Sequence, residues 1–215
     1  MFENNDTTYI FAVRHGETEW NLLGKQQGHL DSPLTDQGIK QAHSLAESLQ
    51  GRGIEVLYSS DLGRALQTAE IIGIELGIEV NVDSRLRERH LGSMQGMTRA
   101  EFSTRFPEES VLFESRDPDY VFPGGESARQ RHERSVAACT DLASQHKGDR
   151  VLVVAHGGVL NSLFCHTLGI SLTGPRRFSL FNAAINYFSI CGDVWRLEAW
   201  GDTSHMKALA TLDDH

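Results

Sequence analysis

Apolar residues come along this chain in two alternating patterns, short unbroken runs and helical spacings of three to four. Residues 9–13 form an unbroken apolar run that predicts a buried strand. Thr35 then caps a helix carrying Ile39, Ala42, Leu45, Ala46 and Leu49 on one face, and Gly51 and Gly53 stop it. Residues 56–59 predict a second strand. Asp61 is expected to cap a helix with Leu62, Ala65, Ala69 and Ile72 on its apolar side, ending before Gly73 and Gly77. Residues 78–82 are a third strand candidate, and 150–155 is the most strongly strand-like run, followed by a helix over 159–168. Residues 184–190 and 194–200 flank Gly192-Asp193 as a hairpin. Strands alternating with helices predict an α/β fold, a three-layer sandwich whose mainly parallel sheet is flanked by helices, with antiparallel edge strands from the hairpin.

Thr98 with Glu101, and Ser127 with Gln130, fit the capping-box pattern, so each opens a helix, the second running towards Gln145. The stretch between them, with Pro107, Pro118 and Pro123-Gly124-Gly125, reads as irregular. It suits a lid-like insertion at about residues 93–127 of a single domain spanning 1–215.

Composition narrows the partners. With 215 residues, 40% hydrophobic and 23% charged, the chain can bury a core without disulfides or a structural metal. Cys139, Cys165 and Cys191 are odd in number and form no CxxC pair, so they read as reduced thiols in a reducing compartment. Residues 1–8 are acidic and polar, and the apolar run after them is too short for a signal peptide, which places the expected location in the cytoplasm. No stretch approaches a membrane span and no Lys/Arg block offers a nucleic-acid footprint. The net charge of −9 would also repel a small phosphorylated ligand, so a phosphate site must concentrate cations and N–H groups locally.

Four segments carry chemistry. Arg14-His15-Gly16 ends the first strand, and His156-Gly157-Gly158 ends the strand over 150–155, at the edge where open α/β sheets bind ligands. Arg64 sits in the first turn of a helix, where the macrodipole disfavours a cation unless an anion is bound beside it. Glu88 lies among Arg87, Arg89 and His90 after the third strand. The remaining histidines show no metal-ligand spacing.

This order and context resemble the histidine phosphatase superfamily, also called the phosphoglycerate mutase-like family, over nearly the whole chain. The family's RHG signature matches Arg14-His15-Gly16, its second phosphate arginine Arg64, its acid/base glutamate Glu88 and its second histidine His156. The resemblance further implies that Asn21, Gln27, Gly28 and Gly157 line the phosphate pocket. It implies phosphomonoester hydrolysis through a phosphohistidine on His15, acting on a small phosphorylated metabolite without metal or cofactor. Arg14 and Arg64 suit the non-bridging oxygens, and His156 would complete the clamp. Glu88 would protonate the leaving oxygen and then deprotonate the attacking water.

A 2,3-bisphosphoglycerate-dependent mutase is the alternative within the family, approached at Glu88-Arg89-His90. Leu91, where mutases resemble one another in having tyrosine, the lack of an Arg-Arg pair in the insertion, and the short 96–127 segment favour hydrolysis. The intact His15, Glu88 and His156 speak against an inactive binding module. Arg85, Arg87, Arg89 and Arg99 stand where a carboxylate or second phosphate could be met, or are exposed loop residues. Nothing fixes a monomer over a homodimer, although an edge strand in the 184–200 hairpin makes a dimer conceivable.

Overall fold

The computed structural model describes residues 6–206 and 209; residues 1–5 of the acidic N-terminal stretch lie outside them. The elements run β1 (Thr8–Arg14), α1 (Glu19–Leu22), α2 (Asp36–Leu49), β2 (Val56–Ser59), α3 (Gly63–Leu76), β3 (Val80–Val82), α4 (Arg99–Arg105), α5 (Pro107–Glu114), α6 (Ala128–Gln145), β4 (Arg150–Ala155), α7 (Gly157–Leu168), β5 (Ile185–Cys191) and β6 (Val194–Asp202).

The six strands form one sheet in the order β3-β2-β4-β1-β5-β6. The first four are mutually parallel, and β5 and β6 extend the sheet antiparallel from β1. Strands covered on both faces need apolar side chains in both directions, which is why β1 and β4 read as unbroken runs. Ile10, Ala12, Val151 and Val153 pack towards α6 and α7, while Phe11, Val13, Leu152 and Val154 pack towards α2 and α3. The result is the expected α/β three-layer arrangement.

Two local expectations fail around α3. Asp61 does not cap it: Leu62 holds the N-cap position without a side-chain bond, and Asp61 pairs instead with Arg87. Gly73 does not end it either. The helix runs on to Leu76 and closes at Gly77 in the left-handed region, whereas Gly73 is where Ile78 crosses, its carbonyl 2.7 Å from where a Cβ would stand. The stretch expected to be irregular also contains α5, opened by Pro107 at its first turn. Its Phe113, with Phe102, Phe106, Tyr120 and Phe122, builds a separate small apolar cluster with Leu91 and Met94.

Candidate active site

Strand register brings the two histidines together. Arg14 on β1 lies opposite Ala155 on β4, and Ser59 on β2 lies opposite Val154. The next residues, His15, His156 and Ser60, therefore leave three adjacent strands side by side at the carboxyl edge. The rings of His15 and His156 have centroids 5.3 Å apart, and His156 Nε2 lies 2.9 Å from Ser60 Oγ. Gly16 allows the chain to turn immediately after His15. A Cβ there would stand 2.5 Å from the carbonyl oxygen of Gly38, so the first turn of α2 packs on bare backbone.

His15 is buried and its ring is held in one tautomer. Its Nδ1 lies 2.7 Å from the Gly16 carbonyl, which can only accept, so Nδ1 carries the proton and Nε2 keeps its lone pair. Burial, then the charges of Arg64 and Arg14, push the His15 pKa well below 6.5, and the ring is neutral at physiological pH. Burial with Arg64, His15 and Arg14 does the same to His156.

Arg64 proves to be a buried cation with a partner. Asp31 accepts from its Nη1 at 2.8 Å and from the Gly63 N–H at 2.6 Å, placing a carboxylate at the start of α3. That charge offsets both the guanidinium and the positive helix end. The Leu30 carbonyl accepts from Nη1 at 2.9 Å and the Gly28 carbonyl from Nη2 at 2.8 Å, which leaves one Nη2 N–H, while Nε is buried with no partner among the described residues. Arg14 donates from Nη1 to the Leu180 carbonyl at 2.5 Å.

Glu88 is fixed from two directions. Its Oε1 accepts from the Arg89 N–H at 2.7 Å and its Oε2 from the Gly158 N–H at 2.8 Å, in the first turn of α7. Its backbone carbonyl accepts from Arg134 Nη2 and lies 2.8 Å from His29 Nε2. Arg134 itself is anchored by Glu126 and by the Arg85 and Arg87 carbonyls.

These residues surround a cavity of about 180 Å³ bordered by Arg14, His15, Asn21, Gln27, Gly28, Arg64, Glu88 and Gly157. His156 sits just outside that lining, beside His15. Asn21 spends its Oδ1 on the Thr18 hydroxyl and N–H, which leaves its amide N–H groups for an anion. Gln27 Nε2 donates to Thr18 Oγ1 at 2.9 Å. Lys25, Gln26, Arg131 and Gly158 also border the cavity and were not foreseen; Asp31 and Ser60 support it from outside. Gly158 could have been found as the second glycine after His156. Arg131 could not, since it is one arginine among several in α6.

The basic loop divides. Arg85 is neutralised by Asp83 and Asp141 and Arg87 by Asp61, so neither is offered to a ligand. Arg89 spends its guanidinium on the Glu126 and Tyr120 carbonyls and the face of Phe122, and burial lowers its pKa to about 10. Arg99 stacks over Phe113. Among the described residues no three His, Cys, Asp or Glu side chains are grouped to hold a metal ion, and no helix is long and apolar enough to cross a membrane.

The family model of the histidine phosphatase superfamily (branch 1) matches residues 10–203. The chain belongs to that superfamily. It is 42% identical to Phosphoglycerate mutase-like protein 4 of Arabidopsis thaliana, covering 98% of this chain and 93% of that one. To the Metal-independent phosphoserine phosphatase of the same plant it is 40% identical, over 97% and 87%. A solved phosphoserine phosphatase of Entamoeba histolytica in complex with 3-phosphoglyceric acid superposes with a TM-score of 0.81 at 31% identity, over 92% and 98%. The expected superfamily, read from four short segments, is the one found.

Proposed function

We propose that the chain hydrolyses phosphomonoesters of small metabolites in two steps through a phosphohistidine on His15. The observation that carries this is His15 itself: a buried, neutral imidazole with Nε2 free to attack, flanked by Arg14 and Arg64 and facing Glu88 across one cavity. In the first step Nε2 forms a bond to phosphorus, the ester P–O bond breaks, and Glu88 gives its proton to the departing oxygen. In the second, ionised Glu88 takes a proton from water, whose oxygen bonds to phosphorus as the P–N bond breaks. Free phosphate leaves and both side chains return to their starting states.

Arg14 and Arg64 stabilise the charge that spreads over the three equatorial oxygens, each charge-assisted hydrogen bond contributing roughly 1.5 to 3 kcal/mol. Asn21, Gln27, Gly28 and the N-terminus of α7 at Gly157 complete the phosphate pocket. No step needs a metal. Residues 1–215 are read as one domain, with the region of about 93–127 forming a cover that brings Phe113 to the cavity. Three free cysteines suit the cytoplasm, and β6, an edge strand, suits a monomer or a homodimer.

The test is to quench the enzyme during turnover under neutral or alkaline conditions and map the phosphoryl group. It should lie on His15; phosphate on a serine or aspartate, or full activity in His15→Ala, overturns the mechanism. The name of the 42%-identical plant relative keeps a mutase reading open. Adding 2,3-bisphosphoglycerate separates the two, since a mutase depends on it to stay phosphorylated and a hydrolase turns over without it.

A further inference from the structure

The phosphate cavity opens onto a larger one of about 780 Å³, and the two share Gln26, Arg89, Phe113, Arg131, Gly157 and Gly158. The phosphoryl group occupies the side of His15 and the arginines, so the alcohol it leaves behind extends past Glu88 through this shared wall. Two arginines stand there. Arg89 is committed to backbone carbonyls and an aromatic face. Arg131 is different: only 8% exposed, it makes one hydrogen bond among the described residues, from Nε to Ser162 Oγ at 3.2 Å, and no ion pair.

Its Nη groups have no hydrogen-bond partner among the described residues, and the nearby Glu88 carboxylate offsets its charge only while ionised, so a ligand that supplies acceptors there relieves a cost of burial. Burial is the main influence lowering the pKa of Arg131. The position is informative too. A Cβ on Gly158 would lie 2.0 Å from Glu88 Oε1 and 2.7 Å from Arg131 Nη1, so the carboxylate and the guanidinium converge on the same point beside the start of α7.

We propose that Arg131 determines specificity on the leaving-group side, receiving a carboxylate carried one or two carbons from the ester oxygen that Glu88 protonates. The spacing follows from the two groups it must bridge. An ester oxygen within hydrogen-bond reach of Glu88 and a carboxylate within reach of Nη1 must be near neighbours on one short carbon chain. The planar fork of arginine matches the two oxygens of a carboxylate. Any further part of the alcohol extends into the 780 Å³ beyond.

This rests on the hydrolase reading, and the experiment keeps the two separable. The full chain and its Arg131→Met and Arg131→Lys variants are assayed for kcat/KM on two matched pairs, 3-phosphoglycerate with glycerol 3-phosphate, and O-phosphoserine with O-phosphoethanolamine. p-Nitrophenyl phosphate reports the competence of the phosphate site, and thermal melting reports folding. The wild type should prefer the carboxylated member of each pair by roughly 10- to 100-fold, the effect of one or two charge-assisted hydrogen bonds. Arg131→Met should bring both ratios close to one, chiefly through KM, and Arg131→Lys should keep part of the preference. A wild type that hydrolyses p-nitrophenyl phosphate without preferring carboxylates overturns the assignment, as does an Arg131 variant, methionine or lysine, that slows both members of a pair equally. Absence of any hydrolysis and of any phosphoenzyme overturns the hydrolase reading itself.

Discussion

Gly158 donates its backbone N–H to Glu88 Oε2 at 2.8 Å, and its missing side chain is what leaves room for Glu88 Oε1. The start of α7 thus sets the aim of a carboxyl group seventy positions earlier in the chain. Gly158→Ala should fold, since alanine suits a helix, but the new methyl must displace the carboxyl. The expected result is a fall in kcat for alkyl phosphates approaching the 10²- to 10⁴-fold typical of a lost general acid, with a much smaller fall for p-nitrophenyl phosphate. Equal losses on both substrates would show that Glu88 does not protonate the leaving group.

Asp31 should matter out of proportion to its exposure. It caps α3 through Gly63 and pairs with the buried Arg64, so Asp31→Ala removes a helix cap and leaves a buried cation uncompensated. Losing the cap alone costs about 1 kcal/mol, within a range of roughly 0.5 to 2. The variant should melt several degrees lower and bind vanadate more weakly. An unchanged melting temperature would mean that α3 holds Arg64 in place without Asp31.

The buried histidines make stability depend on pH. The pKa values of His15 and His156 are both pushed well below 6.5, first by burial, so the unfolded chain takes up protons near pH 6.5 while the folded one does not. Stability is therefore fully present above pH 6.5 and is lost as pH falls from there towards the folded-state values. Each such histidine contributes a slope of up to about 1.4 kcal/mol per pH unit. Urea unfolding at pH 7.5 and 5.5 should show a shallower loss for His15→Asn than for the wild type. The same shift means that phosphorylation has no acid limb at pH 6.5 from the nucleophile; a kcat/KM titration near 6.5 that disappears in a phosphorothioate substrate series would point to the substrate instead.

What could be read in advance divides along physical lines. β2 and β4 were legible to the residue because an unbroken apolar run between turn residues has few other solutions, and α6 because Ser127 and Gln130 form the capping box they predicted. The start of α3 was misread because the anion serving it, Asp31, comes from a loop thirty-two positions away. Arg14, His15, Arg64 and Glu88 can be named from the sequence because each lies in a local motif, and the structure brings the four to one cavity. Arg131 carries no such mark: only packing of α6 against α7 brings it to Gly158 and the cavity. The basic loop was misleading for the complementary reason, as Asp61, Asp83 and Asp141 neutralise Arg85 and Arg87 from other segments.

Glu88→Gln provides the most discriminating kinetic test, because the proposed acid and base steps respond differently to the leaving group. Alkyl alkoxides depend strongly on a proton, whereas nitrophenolate departs nearly unassisted, so phosphorylation by alkyl esters should slow by roughly 10²- to 10⁴-fold and by p-nitrophenyl phosphate far less. Water attack on phospho-His15 still needs the missing base. With p-nitrophenyl phosphate the variant should therefore release a burst of nitrophenolate equal to the enzyme present and then settle to a slow steady state, with the phosphoenzyme accumulating. Glutamine can accept from only one of the two N–H groups that Glu88 serves, so its amide turns a donor towards either Arg89 or Gly158. The variant should still fold but melt somewhat below the wild type, and the burst is read at a temperature where both are folded. If both substrate types slow equally and no burst appears, Glu88 acts in binding rather than in proton transfer, and the acid must be another group bordering the cavity.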